Sequence, residues 1–297
     1  MQHRLYKICR YLSVITLMLS VTACSAVKLS YNNAPDLLYW WLDSYVNFNA
    51  TQKPIIKQNL QALHSWHRQH ELPQYIKLLE SMQSMSGADT DSQKVCNVVN
   101  EIQHRYQTLT LQFQPIAAKL APTLTPDQLT HMRKHFDRNN EKWREEWLEG
   151  SRAEREKKRL KLAVERSEKL YGRLTQGQRE LLLENIRQSN FDPAISDAHR
   201  VRLQQDALSG LAHIITLDDD AADIEMAVAA FFERMHKSDD TAYRSYAEKM
   251  TRHACEGMAR FHNSTTPAQR QHAKEKLGGY LKDLEALKAS AQIDRAI

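Results

Sequence analysis

Glycine and proline are scarce here, with eight of each in 297 residues. These two residues punctuate turns and interrupt helices, so their scarcity argues against a chain of many short strands. No period-two alternation bounded by turn residues is present, and strands are not expected. Catalytic fingerprints are also missing. There is no Gly-x-Ser-x-Gly elbow, no phosphate-binding loop and no dinucleotide motif, so the expectation is a protein that is not an enzyme and carries no cofactor. Asp218-Asp219-Asp220 lacks the spaced oxygens and glycine turn of a calcium loop and reads as a helix cap. The longest apolar run, Tyr11–Val21, falls well short of the ~20 residues that span a bilayer.

Leu, Gln, Glu, Lys, Arg and Ala fill the rest, a composition that favours helix. The fold expected is all-α, a multi-helix bundle with one or two long charged helices.

The N-terminus carries an address. Arg4, Lys7 and Arg10 precede the Tyr11–Val21 run, and the small residues Thr22 and Ala23 close it, as in a secretory signal of residues 1–23. Val21-Thr22-Ala23-Cys24 resembles the lipobox of bacterial lipoproteins. That resemblance implies a diacylglyceryl group on the Cys24 thiol, cleavage before it, and a palmitate-type acyl chain on the new amine. Ser25 in the next position implies delivery to the outer membrane, periplasmic face. Losing the signal removes three basic charges and no acid, taking the formal charge from +5 to +2. Nothing in that balance calls for nucleic acid as a partner. Residues 24–30 then read as the lipidated Cys and a short tether, and 31–297 as the helical periplasmic body, with a possible subdivision near 172.

Two cysteines remain in that body. Cys96 and Cys255 are an even pair in an oxidising space, and a disulfide between them is expected. Closing a loop of that length is worth up to about 5 kcal/mol in the chain-entropy account. Two buried free thiols are the alternative.

Helices can be placed by their starts. Tyr31-Asn32-Asn33-Ala34-Pro35-Asp36 opens a segment, Leu37 to Phe48, that is apolar almost all round. It reads as a core helix buried on several sides. The alternative is a client-binding or membrane-dipping patch, with Leu37, Trp40, Trp41, Tyr45 and Phe48 as candidates. Further helices are expected from Pro54 to near His70, from Tyr75 past Met82, and from Val95 to near Pro115. Leu124-Thr125-Pro126-Asp127-Gln128-Leu129 combines a capping box with a hydrophobic staple. The same logic recurs at Leu174-Thr175-Gln176-Gly177-Gln178 and Thr265-Thr266-Pro267-Ala268-Gln269, and more weakly at Phe48-Asn49-Ala50-Thr51-Gln52. Their unequal spacing argues against a solenoid of fixed period. Ser151 to Lys161 is nearly all charge, with Glu154/Lys158 and Glu165/Lys169 at i,i+4 spacing. It reads as a solvated helix face, or alternatively as a basic surface for anionic lipid or lipopolysaccharide. His131 and His135 could share a helix face and one metal, and His64, His67 and His70 step by three. Met132-Arg133-Lys134 puts two cations between the first pair, which favours surface histidines.

Two resemblances follow. Tyr31-Asn32-Asn33, Trp40-Trp41-Leu42-Asp43, Trp66-His67-Arg68 and Glu71-Leu72-Pro73-Gln74-Tyr75 resemble a proteobacterial family of helical lipoproteins whose function is not established. The Leu124 and Leu174 motifs resemble the LTxxQ motif of the Spy/CpxP-like periplasmic proteins, a group of stress chaperones and metal-responsive regulators. Together these imply an outer-membrane-anchored lipoprotein that acts by binding, in chaperone-like form. Its partners would be the membrane, through its lipid, and unfolded or envelope proteins. A scaffold with one fixed envelope partner and a metal-responsive regulator are the alternatives.

Overall fold

The computed structural model describes residues 26–217 and 221–293, which form twelve α-helices and, among these residues, no strand. The signal, Cys24 and the Asp218–Asp220 cap lie outside the described residues. The helices are α1 Ala26–Asn32, α2 Ala34–Val46, α3 Gln52–His70, α4 Leu72–Met85, α5 Ser92–Leu120, α6 Pro126–Trp147, α7 Arg152–Tyr171, α8 Gln176–Gln188, α9 Pro193–Ile214, α10 Ala221–His236, α11 Thr241–Asn263 and α12 Pro267–Ile293.

The four start signals of the sequence meet in two pairs. At each, a glutamine three residues after the capping side chain accepts from that capping residue's backbone N–H. These bonds are Asn49 to Gln52 (3.0 Å), Thr125 to Gln128 (3.0 Å), Thr175 to Gln178 (2.9 Å) and Thr266 to Gln269 (2.9 Å). The same glutamines then join across helices. Gln52 and Gln128 exchange side-chain amide bonds of 3.2 and 2.8 Å, and Gln178 and Gln269 exchange bonds of 2.7 and 2.9 Å. The second N–H of each amide donates to the carbonyl two residues before its partner's cap. Its targets are Thr123, Asn47, Ser264 and Arg173, in that order. All four glutamines are buried, and these bonds use both amide hydrogens and the oxygen of each. Glutamate could complete a capping box but could donate nothing, so the pairing requires glutamine.

The pairing exposes an internal repeat. The first unit is α2, α3, α5 and α6; the second is α7, α8, α11 and α12. The contacts α2–α3, α2–α6 and α3–α5 correspond to α7–α8, α7–α12 and α8–α11. Positions agree as well. The residues four before the glutamines (Phe48, Leu124, Leu174, Thr265) and four after (Ile56, Met132, Leu182, Ala273) are all buried. Helices α2 and α7 both end against a left-handed residue, Asn47 (φ 54°) and Gly172 (φ 75°). Just before those turns, Asp43 and Glu168 accept the backbone N–H of Phe48 (2.8 Å) and Leu174 (3.3 Å).

Each unit's inserted helices pack on the other unit. Helix α4 lies on α12, while α9 lies on α6 and α10 on α5. A third core forms there, from Ala121, Ile214, Ile224, Val228 and Phe232. Helices α5 and α11 also touch, and Cys96 and Cys255 form a disulfide between them, with Cα atoms 5.4 Å apart.

Two expectations are corrected, the end of α5 and the ion pairs of α7, and one is narrowed. Helix α5 does not end near Pro115 but runs to Leu120. The carbonyl left without a proline N–H belongs to Leu111, an exposed position where water can satisfy it. The long stretch after Pro126 is two helices, because Gly150 (φ 80°) turns the chain and Ser151 with Glu154 builds a further capping box. Glu154 is spent on that cap. Lys158 pairs instead with Glu146 (2.7 Å), and Glu165 with Lys161 (4.0 Å).

Candidate binding surface

Helices α1 and α2 carry an apolar surface. Trp40 is 63 % exposed, Trp41 57 %, Leu29 61 % and Leu37 47 %, with Leu38 close behind. The expectation of burial on several sides is corrected here. Helix α2 packs against α1, α3 and α6, so one flank is covered, and only Pro35 and Tyr39 become buried. The remaining candidates face inward. Phe48 is buried in the first core, beneath the Gln52–Gln128 pair. Tyr45 is half-buried; its hydroxyl accepts from Asn139 Nδ2 at 3.0 Å, and its ring centroid lies 4.0 Å from that of His135. The five candidates therefore divide into an exposed trio, Leu37, Trp40 and Trp41, and an anchoring pair.

The segment expected to be a tether is mostly α1, which packs on α12 with Lys28 Nζ 3.8 Å from Asp283. What holds it to α3 is a polar–aromatic cluster. Tyr31 Oη lies 2.9 Å from His67 Nδ1, its ring is 4.8 Å from that of His64, and Arg68 reaches both the Tyr31 ring and Asn32. Burial, with His64 next in effect, pushes His67 down to about 4, and burial raises Tyr31 to about 12. The imidazole is thus neutral at ordinary pH. The exposed surface is therefore tied at α1 to both α3 and α12.

His131 and His135 are occupied separately. His131 Nε2 lies 3.1 Å from the Ser44 carbonyl, and His135 packs on Tyr45. His272 holds the position of His131 in the second unit and likewise meets a carbonyl, that of Leu170, at 2.9 Å. Their shared geometry is that of a brace between helices. No group of three metal-ligating side chains occurs among the described residues, and no described helix is long and apolar enough to cross a membrane.

The charged start of α7 is laced to its surroundings. Glu156 pairs with both Arg152 and Arg187, at 3.0 Å each. Arg159 is different. It makes no ion pair among the described residues, donating to the Ile186 carbonyl at 3.3 Å and lying 4.7 Å from the Phe191 ring centroid. Sequence reasoning passed over Arg159, because a single arginine in a charged run gives no sign that it turns inward.

Comparison with curated proteins and with solved structures finds no match. A family model does match, over residues 44–244, that of a family of unknown function, DUF6279. This region runs from the end of α2 into α11 and so includes three of the four paired glutamines. The chain belongs to the DUF6279 family.

Proposed function

We propose that this protein is an outer-membrane-anchored periplasmic lipoprotein that acts by binding, as a chaperone-like envelope factor. The observation that supports it is the exposed group Leu29, Leu37, Leu38, Trp40 and Trp41. A folded surface seldom leaves so many large apolar side chains together unless something covers them. Leucine and tryptophan supply contact area with few directional bonds, which suits varied apolar segments better than one fixed epitope. A second reading draws on the position of α1, which begins two residues after Cys24. Tryptophan favours the membrane–water interface, so the same side chains could rest on the lipid that Cys24 would anchor.

The test uses the folded body, residues 25–297, which contains every described helix. Added in a few-fold excess to a denatured model client, it should suppress light scattering by the aggregating client. Changing Trp40→Ala and Trp41→Ala should remove most of that effect. No suppression, with sedimentation of the body on vesicles, would favour the membrane reading. Neither effect, with one crosslinked partner in intact envelopes, would favour a scaffold.

A further inference from the structure

The two units diverge inside. In the shared register Leu42, Leu63, Phe113 and Ile116 of the first unit correspond to Ser167, Ser189, Ala254 and Gly257 of the second. The four large side chains belong to the first core or pack against it. The four small ones all line an open trough between α7, α8 and α11, with a volume of about 450 Å³. That falls within the ~300–1,000 Å³ of small-molecule sites. Gly257 fits this design, since a Cβ there would stand 3.3 Å from Asn185 Cγ, and Asn185 Nδ2 donates to the Gly257 carbonyl at 3.3 Å.

The floor of the trough is apolar, including Leu162, Leu182, Ile186, Met250 and Phe261. Its wall on α7 carries Arg159 and, seven residues on, Arg166. The spacing puts both guanidinium groups on one helix face. Neither makes an ion pair among the described residues, in contrast to Arg152 and Arg187 just outside. Burial pulls Arg159 below the usual arginine range, and Tyr246 and Glu156 nearby offset that only in part. The matching positions of the first unit are Ala34 and Trp41, so the cations occur only where the interior is open.

We propose that this trough binds a single-chain anionic amphiphile, with its acyl chain along the floor and its carboxylate or phosphate head on Arg159 and Arg166. The inference stands apart from the α1–α2 surface and does not rest on it. It is tested by titrating the folded body with cis-parinaric acid, a fluorescent fatty acid, and competing with palmitate, lysophosphatidylglycerol and uncharged monopalmitoylglycerol. Saturable binding near one per chain is expected, displaced by at least one anionic competitor and about tenfold less well by the neutral one. Displacement by palmitate alone identifies a carboxylate site; displacement by the lysophospholipid alone identifies a phosphate site.

Ala254→Phe, which restores the first unit's residue, should weaken binding at least tenfold, and Ser189→Leu serves if that variant misfolds. Arg159→Gln should weaken it several-fold. The Trp40→Ala, Trp41→Ala double variant should bind as well as the parent. Non-saturable binding, equal displacement by the neutral lipid, or indifference to both filling substitutions in folded protein would overturn the proposal.

Discussion

The two units hold their helix ends in the same way and close their interiors differently. Both use a reciprocal glutamine pair, a left-handed turn and a carboxylate beneath the turn. Between the helices, the first unit places leucine, isoleucine and phenylalanine where the second places serine, alanine and glycine. The contrast has a physical reason. A buried amide must keep every hydrogen bond or lose the desolvation energy of each unpaired group. An apolar wall can thin, provided the ends stay fixed and water or a ligand can enter.

The sharpest way to break this comparison is to empty the filled unit. Phe113 packs against both the first core and the one built on α10. Phe113→Ala should cost about 3–5 kcal/mol, as large-to-small core changes do. Ala254→Gly at the matching position should cost only about 1 kcal/mol, chiefly through helix propensity. Urea denaturation of both variants measures the difference, and equal losses would mean that the two interiors are equally packed.

Next comes the shared part. Gln128→Leu and Gln269→Leu should each lose about 2–3 kcal/mol, because each strands its partner amide and a cap N–H. The double change Gln52→Leu, Gln128→Leu should cost less than the sum of its singles. A large inequality between the two units would show that only one pair is structural.

The last expected effect shows only below neutral pH, and the first unit's edge contributes to it through His67. His67 is held near 4, below its unfolded value of roughly 6.5, so the unfolded chain binds more protons between those pH values. Its contribution is complete above about pH 6.5 and is lost as pH falls toward 4. The melting temperature should therefore fall across that window, and less steeply in His67→Gln.

Much of this was legible in the residues. All four cap-and-glutamine signals start helices, because capping is local chemistry read within a few positions. Their pairing was not legible, since Gln52 and Gln128 lie 76 residues apart and nothing local names a partner. The same limit explains α2. Its apolar pattern was plain, but whether Trp40 and Trp41 would be covered depended on how many helices reach that side. The trough was hidden for a related reason: Ser189, Ala254 and Gly257 are unremarkable until the repeat sets them opposite Leu63, Phe113 and Ile116.

The bond between Cys96 and Cys255 makes the chain topologically a ring with two tails. One tail carries α1 to α4 and the other carries α12, and α12 lies against α1, α3 and α4. The free ends are thus latched to each other. A chain pulled from its termini would first part tail from tail, and while oxidised it could never yield the ring's contour, 159 residues or roughly 550 Å of extended backbone. Single-molecule extension with and without reductant would read that hidden length directly.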